Sequence, residues 1–153
     1  MDLKDMISVN RIKVNVEVKN WEESIEKVGE LMVKDSCVFP SYVEAMKKVA
    51  ESLGPYIVIT PGVAFPHARP EDGVIKPCFA IITLKDPVNF GNPENDPVKM
   101  VIALAAVDNS QHVQALKVLA DILSDREVVE KMMCSSTEEE LYEYLINYRP
   151  REV

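Results

Sequence analysis

The chain predicts an α/β sandwich, and three features of its hydrophobic pattern support this. Residues 11–19 alternate, with Ile12, Val14, Val16 and Val18 on one side and Arg11, Lys13, Asn15, Glu17 and Lys19 on the other, the period of a half-buried strand. Val98 to Val107 is an almost unbroken apolar run, which suits a strand covered on both faces. Around these runs lie stretches of helical period, each introduced by residues that can cap a helix, so strands and helices alternate along the chain. A length of 153 residues supports one continuous core. With no internal repeat, linker or low-complexity segment, residues 1–153 are expected to form a single domain.

After the first strand, Asn20 with Glu23 forms a capping signal, and Trp21, Ile25, Val28 and Met32 recur at helical spacing up to Lys34. Ser41 with Glu44 repeats the signal, predicting a second helix through Val43, Met46, Val49 and Leu53 that Gly54-Pro55 ends. Tyr56 to Thr60 is a short β-rich run entering a loop of prolines and a histidine, and Cys78 to Leu84 is a second apolar run leaving it. Lys85 to Pro97, rich in Pro, Asn, Asp and Gly, reads as a surface loop before the Val98 strand. Asp108-Asn109-Ser110-Gln111 then caps a helix whose stripe is Val113, Leu116, Leu119, Ile122 and Leu123. A shorter helix follows around Val128 to Met132, and Thr137 with Glu140 opens a last one carrying Leu141, Tyr144, Leu145 and Tyr148. Arg149 to Val153 is expected to fray.

Composition removes several function classes. Seventeen basic against 25 acidic residues leave a net charge of −8, which disfavours nucleic acid and anionic membrane surfaces as partners. A mean hydropathy of −0.05 and the lack of a long apolar run argue against a spanning helix or direct membrane insertion. The start, Met1-Asp2-Leu3-Lys4-Asp5, does not have the pattern of a secretory signal, so the cytoplasm is the expected compartment. Cys37, Cys78 and Cys134 are odd in number and far apart, and are expected to be reduced, mostly buried thiols.

The segment Thr60-Pro61-Gly62-Val63-Ala64-Phe65-Pro66-His67-Ala68-Arg69-Pro70 holds one of only two histidines among residues that restrict the backbone. His67 would lie in a stiff loop at the carboxyl end of a strand, where α/β sheets generally place ligand sites. His112 falls in the first turn of a helix that also leaves a strand, so the two imidazoles can converge on one cleft. The positive end of a helix dipole disfavours an imidazolium at His112 and favours phosphate. A neutral His67 could attack through one ring nitrogen while the other donates its proton to an oxygen that fixes the tautomer. Arg69, two positions on, carries a fork of donors suited to an anion. These residues suit phosphoryl capture. Metal binding is the competing chemistry, with Asp72 and Asp108 as possible additional ligands, but two histidines without HExxH or clustered spacing make a poor metal set.

Gly54-Pro55-Tyr56, Ala64-Phe65-Pro66-His67-Ala68-Arg69-Pro70-Glu71-Asp72-Gly73-Val74, Asn95-Asp96-Pro97-Val98 and Ala105-Ala106-Val107-Asp108, followed by His112, together resemble the IIA components of the phosphoenolpyruvate-dependent sugar phosphotransferase system. The resemblance is to the mannitol/fructose class, closest to its L-ascorbate branch, and extends over essentially the whole chain. It implies a mixed β-sheet flanked by helices in a single-domain sandwich, with no metal or nucleotide cofactor. It also implies that His67 accepts a phosphoryl group from the phosphocarrier protein HPr on Nε2 and passes it to a cysteine of a IIB component, which serves a membrane IIC transporter. His112 would hydrogen-bond that group. Mannitol-type members use an arginine upstream of the active histidine, whereas Val49 stands at the matching place here, which leaves Arg69 as the candidate phosphate-binding residue. An alternative within the same fold is a regulatory module whose phosphorylation state controls a partner protein. A metal-dependent hydrolase built on His67 and His112 is the third reading.

Overall fold

The computed structural model describes residues 3–148. A short helix α1 (Leu3–Met6) and a 3-10 turn lead into β1 (Ile12–Val16), followed by α2 (Trp21–Lys34) and α3 (Pro40–Leu53). A second 3-10 turn (Gly54–Ile57) precedes β2 (Val58–Thr60) and β3 (Val63–Ala64), and a third (Pro70–Asp72) precedes β4 (Cys78–Val88) and β5 (Val98–Ala105). The chain ends in α4 (Asn109–Ser124), α5 (Arg126–Met133) and α6 (Glu138–Ile146). The strands form one mixed sheet in the order β1-β4-β5-β3-β2. β4 and β5 are antiparallel, with Cys78 opposite Ala105, while β1 runs parallel to β4 and β3 runs parallel to β5.

Both faces of this sheet are covered, which is why β4 and β5 read as continuous apolar runs. Ala80, Ile82 and Leu84 of β4 and Val101 and Ala103 of β5 pack with Ile25, Val28, Met32, Tyr42 and Met46 from α2 and α3. The alternate residues Phe79, Ile81, Met100, Ile102 and Leu104 face Leu119, Ile122, Val129, Met132 and Leu141 from α4 to α6. The side chains of Asn20, Asp108 and Thr137 cap α2, α4 and α6, accepting from Glu23 N, Gln111 N and Glu140 N at 2.9, 2.8 and 3.1 Å.

Several boundaries differ from expectation: β2 starts only at Val58 because Gly54–Ile57 forms a 3-10 turn, β5 ends at Ala105, and α6 ends at Ile146, short of Tyr148. α3 begins at Pro40, whose missing N–H costs nothing in a first turn, so Ser41 lies inside the helix and its hydroxyl donates to Asp72 O at 3.2 Å. The buried stripe of α3 is Tyr42, Met46 and Ala50, while Val43 and Val49 are only partly buried and Leu53 is exposed. β4 continues past Leu84 to Val88, because Val88 finds a partner in Val98 of β5. β3 lies inside the proline-histidine loop, held by pairing of Val63 and Ala64 with Met100 and Val101. The expected first strand stops at Val16, one residue after Asn15 adopts φ 55°. Cys37 and Cys78 are buried and Cys134 is exposed, all as free thiols. The tail from Arg149 to Val153 lies outside the described residues.

Candidate active site

His67 stands just beyond the carboxyl end of β3, at the same level as Leu104 near the end of the parallel strand β5. Three ties fix the segment. Phe65 N donates to Ile57 O at 2.9 Å, Leu104 N donates to Pro66 O at 3.2 Å, and Ala68 N donates to the hydroxyl of Tyr42 at 3.0 Å. The imidazole turns back on its own loop, with Nδ1 2.9 Å from Phe65 O. A carbonyl oxygen can only accept, so in the neutral ring Nδ1 carries the proton and Nε2 keeps the lone pair. The Phe65 ring packs beside the imidazole at 5.1 Å between centroids.

His112 arrives by the adjacent route. β5 ends at Ala105, Asp108 caps α4, and Gln111 Oε1 accepts from Val107 N at 3.1 Å. His112 N makes the first bond of the helix, to Asp108 O at 3.1 Å. Because β3 and β5 are parallel neighbours, the segments leaving them emerge side by side. The two imidazole centroids are 5.7 Å apart, with the ring planes inclined at 55°. Partial burial lowers the pKa of His112, and the neighbouring His67 lowers it further. The direction agrees with the neutral imidazole expected at a helix N-terminus, but its causes are desolvation first and His67 second.

The structure brings His67 and His112 together and gives Arg69 other partners. The Arg69 side chain is 73% exposed, its Nε lies 3.4 Å from Asp72 Oδ2, and Glu71 Oε1 is 3.6 Å away. Asp72 Oδ2 also accepts from Arg69 N at 2.9 Å, which joins the two ends of the turn. Val49 is a partly buried aliphatic residue packed against the α2–α3 core. Among the described residues, no three His, Cys, Asp or Glu side chains are grouped to hold a metal ion. No described helix is long and apolar enough to cross a membrane.

Tyr42 is not among the residues that the sequence singles out. Its hydroxyl touches both Ala68 and Leu104, and burial raises its pKa, so it remains a protonated phenol. The available signal was the spacing of Tyr42, Met46 and Ala50, which defines the buried face of α3.

The family described as phosphoenolpyruvate-dependent sugar phosphotransferase system, EIIA 2, matches residues 5–148. The ascorbate-specific phosphotransferase EIIA component of Escherichia coli strain K12 is 35% identical over 147 residues, covering 95% of this chain and 96% of that protein. The solution structure of the cryptic mannitol-specific enzyme IIA CmtB from Escherichia coli superposes with a TM-score of 0.83 at 33% identity, covering 95% of this chain and 98% of that one. The IIA chain in the complex of mannitol enzyme IIA with phosphorylated enzyme IIB, also from Escherichia coli, has a TM-score of 0.81 at 29% identity, covering 93% and 98%. With that match along nearly its full length and the same mixed, helix-flanked sheet, the chain belongs to the EIIA 2 family of the phosphoenolpyruvate-dependent sugar phosphotransferase system.

Proposed function

We propose that this chain, taken over residues 1–153 as one IIA domain, is a cytoplasmic phosphocarrier that accepts a phosphoryl group from HPr on His67. It hands the group to a cysteine of a IIB component, and the IIC transporter downstream takes up a carbohydrate, L-ascorbate by analogy with the relatives. The observation that carries this reading is the pair of facing imidazoles, one of them with Nδ1 committed to Phe65 O.

In the first step the Nε2 lone pair of His67 attacks phosphorus, a new N–P bond forms, and the N–P bond to the histidine of HPr breaks. The His67 ring gains positive character as the bond forms. Its Nδ1–H then becomes a stronger donor to Phe65 O, so a contact that fixes the tautomer in the resting protein also stabilises charge as it develops. His112, within reach across the 5.7 Å centroid spacing, donates a hydrogen bond to a phosphoryl oxygen. Arg69 exchanges Asp72 for the phosphoryl group or for the partner's surface. In the second step a IIB thiolate attacks the same phosphorus, and His67 leaves as neutral imidazole.

Phosphotransfer from phosphoenolpyruvate through enzyme I and HPr, followed by intact mass and a panel of IIB proteins, tests the reading. The wild-type chain should gain one acid-labile phosphoryl group and His67→Ala none. Arg69→Ala should slow single turnover by about one to two decades if charge-assisted bonds of roughly 1.5–3 kcal/mol form mainly in the transition state. A His67→Ala protein that still accepts the group would remove His67 from the role. A wild-type protein that is phosphorylated but passes the group to no IIB partner would favour the regulatory reading.

A further inference from the structure

The hydroxyl of Tyr42 occupies a rung of the sheet. His67 and Leu104 form a parallel bridge, and one of its two bonds is direct, from Leu104 N to Pro66 O at 3.2 Å. The other bond of such a bridge would run from Ala68 N to Leu104 O. Here Tyr42 is spliced into it: the phenol oxygen accepts from Ala68 N at 3.0 Å and lies 2.7 Å from Leu104 O. A hydroxyl has one proton, and the shorter contact takes it, so Tyr42 donates to Leu104 O, with Ala68 O a more distant acceptor at 3.2 Å. Tyr42 is 1% exposed, which excludes solvent from competing for these groups.

We propose that Tyr42 is a positioning residue for phosphoryl transfer, its inserted hydroxyl setting the distance between the His67 loop and β5 and thereby the placement of His67 against His112. This rests on His67 being the phosphoryl acceptor. Pro66 and Ala68 flank His67, so Leu104 and Tyr42 together hold the peptide units on both sides of the nucleophile. His112 belongs to the helix that grows from the same strand, so a change in the spacing of loop and β5 alters the separation of the two rings. Tyr42 itself touches the loop and the strand through backbone groups and acts on the chemistry only through the placement of His67 against His112.

The test is Tyr42→Phe, which keeps the ring and removes the inserted oxygen. Single-turnover transfer from saturating phospho-HPr should fall about 10- to 100-fold, the loss expected when a reacting group is misplaced by an ångström or less. The half-saturating donor concentration should stay at the wild-type value, and the ring nitrogen NMR signals of His67 and His112 should both shift. A folded Tyr42→Phe protein with wild-type rate and wild-type imidazole signals overturns the proposal, as does a loss that lies wholly in donor affinity. If Tyr42→Phe does not fold, 3-fluorotyrosine at position 42 takes its place. It keeps the shape, makes the oxygen a poorer acceptor for Ala68 N–H, and should slow transfer several-fold; an unchanged rate overturns the proposal. His67→Ala run alongside separates the two failures. If His67→Ala is still phosphorylated the acceptor reading fails, whereas an inert His67→Ala beside a full-rate Tyr42→Phe removes Tyr42 alone.

Discussion

At His112 the two effects that lower the pKa act against the same proton, since burial removes water that would solvate an imidazolium and His67 adds a second ring that resists a positive neighbour. An unfolded chain restores the ordinary histidine value of about 6.5. Between that value and the lower folded one the unfolded state binds more protons, so stability rises with pH. The His112 contribution is present above about pH 6.5 and is lost as pH falls through the folded value. On the proposed function, phosphorylation of His67 would reverse the sign, because a phosphoryl dianion there favours the charged form of its neighbour. An NMR titration should therefore find His112 below the ordinary value in the free protein and shifted upward when His67 is phosphorylated. An unchanged or lowered value in the phosphoprotein would mean that His112 does not face the phosphoryl group. The pairing of the two histidines was legible because each follows a strand, and strand-ends of one sheet converge. The orientation of Arg69 was not, since its pairing with Asp72 depends on a 3-10 turn that local composition does not specify.

Between α2 and α3 the packing rests on one missing side chain. A Cβ placed on Gly29 would lie 2.7 Å from both γ carbons of Val43, and a β-branched side chain cannot swing both away. Gly29→Ala gains up to about 1 kcal/mol in helix propensity and loses about 1–3 kcal/mol to overpacking, so the expected net effect is a destabilisation on the order of 1 kcal/mol. Denaturant unfolding should show this loss, and adding Val43→Ala should relieve the overpacking part. A Gly29→Ala protein more stable than wild type would mean that the helices simply move apart. The starts of α2, α4 and α6 were legible from the capping side chains of Asn20, Asp108 and Thr137. At α3 the same rule misplaced the start, because Ser41-to-Glu44 imitates a capping box while Pro40 already occupies the first turn. β3 was beyond local reading for another reason: two residues carry no period, and Val63 and Ala64 are a strand only because β5 lies beside them. Tyr42 is illegible on both counts, since it sits on a helix face displaced by one residue from the expected stripe and bonds to backbone groups distant in sequence.

Across the whole molecule, β4 and β5 are the shared wall of two cores. Ile81 and Ile82 are adjacent in sequence, both almost fully buried, and point into opposite layers. A sheet buttressed on both sides cannot release one layer without exposing its central strands, so the domain should unfold as one unit. Trp21, the chain's only tryptophan, reports on the α2 side, where its ring lies 6.0 Å from that of Phe90. Ile81→Ala opens a cavity in the other layer, beneath α4 to α6. Such a truncation costs about 2–5 kcal/mol, and at a few degrees per kcal/mol for a chain of this size the melting temperature should fall on the order of 10 °C. Because the damage is on the face away from Trp21, the fluorescence midpoint is the informative measurement. It should fall together with the far-UV circular dichroism midpoint, the two curves remaining superimposable. If fluorescence keeps its wild-type midpoint while part of the helical signal melts early, the α4–α6 layer is a separate cooperative unit. The His67–His112 pair, with His67 on a loop tied to α3 and His112 on α4, would then join two independently stable halves.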